Sequence, residues 1–250
     1  MDRQNVIIIP ARLQSSRLPN KPLADMHGVP MIIEVWKRAM EAGVAPVVVA
    51  AGDKEIADVI EAEGGVAICT DPALPSGSDR CFAALQKLPE QEKITRIVNL
   101  QGDLPTLAPS AIRKLFAMLD DGEIDIATLG VPITEAEDGR NPNIVKIGVS
   151  MEEGARQGRA FYFTRSPAPF SFCDEPLYHH IGIYGYQRAA LERFIALPPS
   201  VLEKRERLEQ WRALEAGLRV EVAMIDSHPF GVDTPSDLER AREILKGGKP

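Results

Sequence analysis

At 250 residues, with 44% hydrophobic and 26% charged residues, the chain is long enough to bury a sizeable core, and a single large α/β domain spanning 1–250 is expected. Its net charge of -7 argues against a general nucleic-acid-binding surface. Cys69, Cys81 and Cys173 are an odd number without CxxC spacing, which argues against a disulfide framework or a zinc site and fits a reducing cytosol. The first residues carry no basic-then-apolar leader, and no apolar run approaches the roughly 20 residues of a membrane span, so a cytoplasmic protein without membrane insertion is expected.

Val6-Ile7-Ile8-Ile9 reads as a short strand buried on both faces. It runs straight into Pro10-Ala11-Arg12-Leu13-Gln14-Ser15-Ser16-Arg17-Leu18-Pro19-Asn20-Lys21-Pro22. Three prolines disfavour regular helix through that stretch, while Arg12, Arg17 and Lys21 supply positive charge and Ser15, Ser16 and the backbone amides can donate hydrogen bonds. Isolated, such a triplet would be solvated or paired with surface carboxylates. Crowded at a buried strand's exit, it suits a polyanion, and a nucleoside triphosphate is the natural candidate. The chain has neither GxxxxGK[ST] nor GxGxxG, so this is not a Walker or dinucleotide loop.

Pro30 opens a helix reaching about Ala42, ended by Gly43. Residues 47–51 form a second buried strand, after which Asp53 is placed to cap a helix through Ile56, Val59 and Ile60. A third strand at 66–69 leads to a loop ending in Ser76-Gly77-Ser78-Asp79-Arg80, with a capping-box-like spacing of Ser76 and Asp79. A fourth strand at 96–100 closes on Gln101-Gly102-Asp103-Leu104-Pro105, before a helix with Ile112, Leu115, Phe116 and Leu119. Such β-loop-α repetition predicts a mostly parallel, doubly wound sheet with ligands at the carboxyl ends of the strands. Asp103 stands at such an end; it is either a turn carboxylate or, with the basic loop on the same edge, a ligand for Mg²⁺.

From Asp125 the rhythm changes. Runs at 126–133, 144–149, 160–164 and 181–186 follow with little helix between them, the signature of an antiparallel extension carrying the second substrate or a subunit contact across 126–190. In the last run, alternation sends His180, Gly182, Tyr184 and Tyr186 to one face. A charged helix at 202–215 has only Leu208, Trp211 and Leu214 as a stripe, and Glu203 to Arg207 reads as a solvated or inter-subunit face, a reading that extends to Glu209. After a strand at 220–225, Thr234 is the expected N-cap of a final helix, with Pro235 at N1 and Asp237 completing the box, so that Asp233 immediately precedes the helix. The tail at 246–250 is expected to fray.

In order and spacing, Ile9-Pro10-Ala11-Arg12, Ser16 to Leu23, Ser76 to Arg80, Asn99 to Asp103, Asn141-Pro142-Asn143, His180-Ile181-Gly182-Ile183-Tyr184-Gly185-Tyr186, Leu208-Glu209-Gln210 and Gly231-Val232-Asp233-Thr234-Pro235 make the chain resemble the 3-deoxy-manno-octulosonate (Kdo) cytidylyltransferases of lipopolysaccharide synthesis. The resemblance implies a Rossmann-like nucleotidyltransferase fold, CTP and Kdo as substrates, CMP-Kdo and pyrophosphate as products, and a homodimer. It further implies that Ala11, Arg12, Arg17 and Lys21 bind CTP with Ser78 and Arg80 beside them, and that Asp103 and Asp233 hold Mg²⁺. Gln101, His180, Tyr184, Glu209 and Gln210 would face the sugar acid, which lifts Glu209 out of the solvated helix face. Arg17, Lys21, Asp103 and Asp233 would carry the catalysis. One departure stands out: the family often has an acidic residue after Gln-Gly-Asp, and here the position is Leu104. Rival readings are a cytidylyltransferase for another acidic sugar, such as an 8-amino Kdo analogue or a sialic acid, and a non-catalytic nucleotide-binding protein.

Overall fold

The computed structural model describes residues 5–15, 17–135, 139–169 and 176–247; Ser16, Cys173 and the tail beyond Gly247 lie outside them. The chain builds two compact units, one from residues 1–113 with 227–250 and the other from 114–226.

In the first unit, strands β1 (Asn5–Ala11), β2 (Val47–Ala51), β3 (Val66–Cys69) and β4 (Arg96–Asn99) are joined through helices α1 (Met31–Ala42), α2 (Lys54–Ala62) and α3 (Gly77–Leu85), and α4 (Pro109–Met118) follows β4. The four strands lie parallel in the order β3-β2-β1-β4. Every residue of β1 and β2 is buried, as their unbroken apolar runs require, whereas β3 is a half-exposed edge. Because β2 and β3 lie to one side of β1 and β4 to the other, the strand order reverses between β1 and β4. Their carboxyl ends bound the crevice where open α/β sheets bind ligands. Gly43 ends α1 with φ 66°, in the left-handed conformation that glycine adopts without penalty.

The second unit contains β5 (Ile126–Pro132), β6 (Lys146–Ser150), β7 (Gln157–Thr164) and β8 (Tyr178–Gln187), helices α5 (Arg188–Ala196), α6 (Val201–Glu206) and α7 (Gln210–Glu215), and β9 (Val220–Met224). Pairing runs β8-β5-β9-β7-β6 and returns from β6 to β8. All of these pairs are antiparallel except β5 with β9, which is parallel because three helices intervene between β8 and β9 and return the chain in the direction of β5.

Two expectations are corrected. The helix expected over 202–215 is broken: Arg207 adopts φ 55°, a left-handed residue that ends α6, and Leu208 turns into the core before α7 begins. The charged run is also not simply solvated. Glu203 forms a capping box with Ser200 and pairs with Arg212 at 2.5 Å, and Glu206 accepts from the Thr164 hydroxyl at 3.1 Å and the Arg165 N–H at 3.1 Å.

The last helix, α8 (Pro235–Lys246), returns the chain to the first unit and has the predicted Thr234–Asp237 capping box. Val232, Leu238 and Ala241 pack with Met26 and Met31 in one buried cluster, which docks the start of this helix on the segment that follows the basic loop.

Candidate active site

A pocket of about 340 Å³ opens at the carboxyl ends of β1 and β4, lined by residues of the loops after β1, β3 and β4. Arg12, Arg17, Lys21, Arg80, Gln101 and Asp103 all border it. The loop after β1 is irregular as its prolines dictate, apart from a 3₁₀ turn at Lys21–Leu23 entered through left-handed Asn20. Its first part is pinned by Asp53. That carboxylate does not cap α2 but accepts the Leu13 N–H at 2.7 Å, which is a correction to the sequence reading and adds a residue that spacing alone could not connect to the loop.

Lys21 is the centre of charge. Its Nζ donates to Asp103 Oδ2 at 2.6 Å and Asp233 Oδ1 at 3.0 Å, while Arg17 pairs with Asp233 Oδ2 at 2.9 Å. Burial opposes the ammonium, but Asp103 and then Asp233 outweigh it and raise the Lys21 pKa above its ordinary value. Asp233 is held below the ordinary carboxylate range: burial acts against this, and Lys21 and then Arg17 prevail. The two acidic segments are tied together by backbone. Val232 N–H donates to Asp103 O at 3.0 Å, and Phe230 N–H to the hydroxyl of buried Thr106 at 2.7 Å. Gly102 is required beside Asp103, because a Cβ there would lie 3.1 Å from Pro10 O and 3.2 Å from Ile32 Cδ1. Leu104, in the position where the family often has an acid, is buried and approaches Gly231.

Other expected nucleotide residues separate into exposed and buried sets. Arg12 and Arg17 are exposed, and Ala11 is buried with its carbonyl accepting Gly52 N–H at 2.8 Å. Arg80 is only 2% exposed and donates to Thr70 Oγ1 at 2.6 Å, Asp71 O at 3.0 Å and Pro72 O at 3.3 Å, so it holds the loop after β3 and also borders the pocket. Burial and then Arg12 lower its pKa. Ser78 is fully buried, with its hydroxyl receiving Asn99 Nδ2 at 3.4 Å; Asn99 in turn accepts from Gln101 Nε2 at 2.9 Å.

In the second unit, the expected sugar residues His180, Tyr184 and Gln210 are buried and Glu209 is half-buried. The rings of His180 and Tyr184 lie 5.4 Å apart, and Tyr184 and Tyr186 6.0 Å, on the shared face that the alternation predicts. The pairing itself is irregular: Thr128 sits opposite Tyr184 and Leu129 opposite Ile181, leaving a bulge at Gly182 and Ile183. Thr128 fills it, donating to Ile183 O at 2.7 Å and lying 3.0 Å from His180 Nε2. Burial, and then His179, lower the His180 pKa to about 3, so the imidazole is neutral at physiological pH. The Tyr184 hydroxyl donates to Gln210 Oε1 at 3.4 Å, and burial followed by the Glu209 carboxylate raises its pKa well above the ordinary tyrosine value. Nothing in the sequence marked Thr128, and Asp53 was marked only as a helix cap; the register and the loop path reveal their contacts.

The cytidylyltransferase family model matches residues 6–222. A 3-deoxy-manno-octulosonate cytidylyltransferase from Paramagnetospirillum magneticum is 54% identical over 241 residues, covering 96% of this chain and 97% of its own. The chain belongs to this family. The enzyme of the same name from Parvibaculum lavamentivorans is 57% identical, covering 96% of this chain and 92% of its own. A solved structure of CMP:2-keto-3-deoxy-manno-octonic acid synthetase in complex with CTP is 39% identical, with a TM-score of 0.89 over 98% of this chain and 99% of that one. Membership agrees with the mixed α/β fold expected from the strand–helix alternation and with the basic loop at the exit of β1.

Proposed function

We propose that this chain transfers CMP from CTP to the anomeric hydroxyl of Kdo. The sugar oxygen attacks the α-phosphorus, the bond to the bridging oxygen of the β-phosphate breaks, pyrophosphate leaves with that electron pair, and the hydroxyl proton passes to solvent. The observation that carries this reading is the convergence of Arg12, Arg17 and Lys21 on one pocket at the switch between β1 and β4, in a chain 39% identical to a synthetase solved with CTP.

Arg12, Arg17 and Lys21 bind the triphosphate. Arg17 and Lys21 stabilise the charge that develops on departing pyrophosphate, the term that fixed cations supply best in phosphoryl-type transfer. Ala11, Ser78 and Arg80 shape the nucleotide side of the pocket. Gln101, His180, Tyr184, Glu209 and Gln210 receive the sugar acid. Neutral His180 acts as a hydrogen-bonding group, because a ring nitrogen that remains unprotonated down to about pH 3 is a poor proton acceptor near neutrality. Positioning and charge neutralisation therefore provide most of the rate acceleration.

Asp103 and Asp233 are the residues that would hold Mg²⁺. Two carboxylates gathered on a single cation, Lys21 Nζ, are the hard oxygen donors that such a divalent ion would take. When bound, Mg²⁺ polarises the α-phosphate and lowers the pKa of the attacking hydroxyl. A homodimer is proposed as the family resemblance implies, with the antiparallel strands of the second unit as the contact, and a cytoplasmic location from the exposed thiol of Cys69 and from the use of a nucleoside triphosphate. Among the described residues no helix is long and apolar enough to cross a membrane.

The test is pyrophosphate release from a panel of nucleoside triphosphates, each with Kdo, 8-amino Kdo or a sialic acid. CTP with Kdo is expected to give the highest kcat/KM. Preference for another sugar acid would reassign the acceptor.

A further inference from the structure

Lys146 is a lysine that the proposed chemistry does not use, and its side chain is fully buried. A buried ammonium survives only where its donors are satisfied. Here all three are satisfied by backbone: Asn141 O at 2.9 Å, Ile144 O at 2.7 Å and Arg165 O at 2.8 Å. Burial and then Arg165 lower its pKa, and the Glu206 carboxylate opposes that shift. With no donor left, Lys146 cannot bind a substrate anion. It adds three hydrogen bonds between the Asn141–Ile144 segment and the end of β7, which the β6–β7 pairing of Lys146 with Thr164 already brings side by side.

Both segments lead to proposed acceptor residues. From the turn, Val145 O accepts the backbone N–H of His180 at 2.8 Å, so displacement of 141–145 shifts His180. At the end of β7, the Arg165 guanidinium donates to Pro142 O at 2.9 Å and Glu206 O at 2.8 Å. It thereby fixes the last turn of α6, directly before the break at Arg207 that sets the path of Glu209 and Gln210.

We propose that Lys146 is a positioning residue for the acceptor sugar: through its carbonyl cage it sets the backbone of His180 on one side and, by way of Arg165, that of Glu209 and Gln210 on the other. This inference rests on the Kdo-cytidylyltransferase reading above. A direct role in nucleotide binding is not involved, because Lys146 and everything it holds belong to the second unit and the triphosphate pocket belongs to the first.

The experiment measures steady-state constants for both substrates with Lys146→Met, together with hydrogen exchange on the free protein. The expected result is a rise of at least tenfold in KM for Kdo, KM for CTP within twofold of wild type, and faster amide exchange at His180 and across 206–210, with residues 5–50 unchanged. Lys146→Gln, which retains an amide donor, should fall between the methionine variant and wild type, and it serves if Lys146→Met does not purify folded. An unchanged KM for Kdo in either folded variant, an equal rise in KM for CTP, or unaltered exchange at 206–210 would overturn the proposal. Failure of both variants to fold would also overturn it, assigning Lys146 to stability alone. Absence of turnover by wild-type protein with CTP and Kdo would instead refute the activity on which the proposal rests.

Discussion

Lys21 Nζ lies 2.6 Å from Asp103 Oδ2 and also reaches Asp233, so an internal cation already sits between the two carboxylates proposed to hold the metal. Lysine and the proposed metal would therefore compete for the same oxygens. Without nucleotide, Lys21→Met is expected to bind Mn²⁺ about tenfold more tightly than wild type, a change of about 1.4 kcal/mol, read by electron paramagnetic resonance of the free ion. Equal or weaker binding would show that the carboxylates need Lys21 for their geometry.

Asp53 is expected to contribute to nucleotide binding although it does not border the proposed triphosphate pocket. Its carboxylate fixes the Leu13 N–H, and hence the path of the loop between Arg12 and Arg17. Loss of a hydrogen bond to a charged group is worth about 1.5–3 kcal/mol. Asp53→Ala is expected to raise KM for CTP by about tenfold or more and leave KM for Kdo unchanged. Equal effects on both substrates would mean that the loop is set by other contacts.

Gly52 is a packing requirement of Arg80. A Cβ at that position would lie 2.7 Å from Arg80 Nη1 and 3.0 Å from Arg12 Cβ, and the guanidinium cannot simply swing aside because three acceptors hold it. Overpacking of this kind costs about 1–3 kcal/mol, so Gly52→Ala should lower the urea midpoint with an unchanged m-value. A midpoint equal to wild type would place spare room around Arg80.

His180 makes the protein sensitive to acid. Its folded pKa is about 3 against an ordinary value of 6.5, so the unfolded chain binds a proton that the folded one refuses. Stability from this group is fully present above about pH 6.5 and is lost as pH falls from there toward about 3. Urea unfolding at pH 7.5, 6.0 and 5.0 should show wild type losing stability faster than His180→Gln. Parallel losses would mean that His180 accepts a proton in the folded state.

Much of the first unit was legible in its residues. Pro10, Pro19 and Pro22 fix an irregular loop, Gly43 stops a helix, and Thr234 with Asp237 starts one, each through local chemistry that spacing displays. The Asp103–Lys21–Asp233 contact was foreseeable only in part: strand ends could be recognised, but the closure depends on Met26 and Val232 packing together across some two hundred residues of sequence. Asp53 was misassigned because a helix-start aspartate looks the same whether it caps its own helix or holds a distant N–H. The break at Arg207 was hidden for a related reason. An arginine with positive φ carries no compositional mark, and the apolar spacing of Leu208, Trp211 and Leu214 imitates one continuous helix. Thr128 and Lys146 became visible only through register and burial, which depend on strand pairing rather than on local sequence.

The most direct measurement is pyrophosphate release with CTP and Kdo by the wild-type protein and by Asp103→Asn, with product sugar nucleotide quantified alongside. Wild type is expected to release pyrophosphate and form CMP-Kdo in equal amounts, and the folded variant to be slower by at least about 10²-fold. No pyrophosphate from wild type would contradict the proposed activity, and near-normal release by Asp103→Asn would remove Asp103 from the catalytic centre.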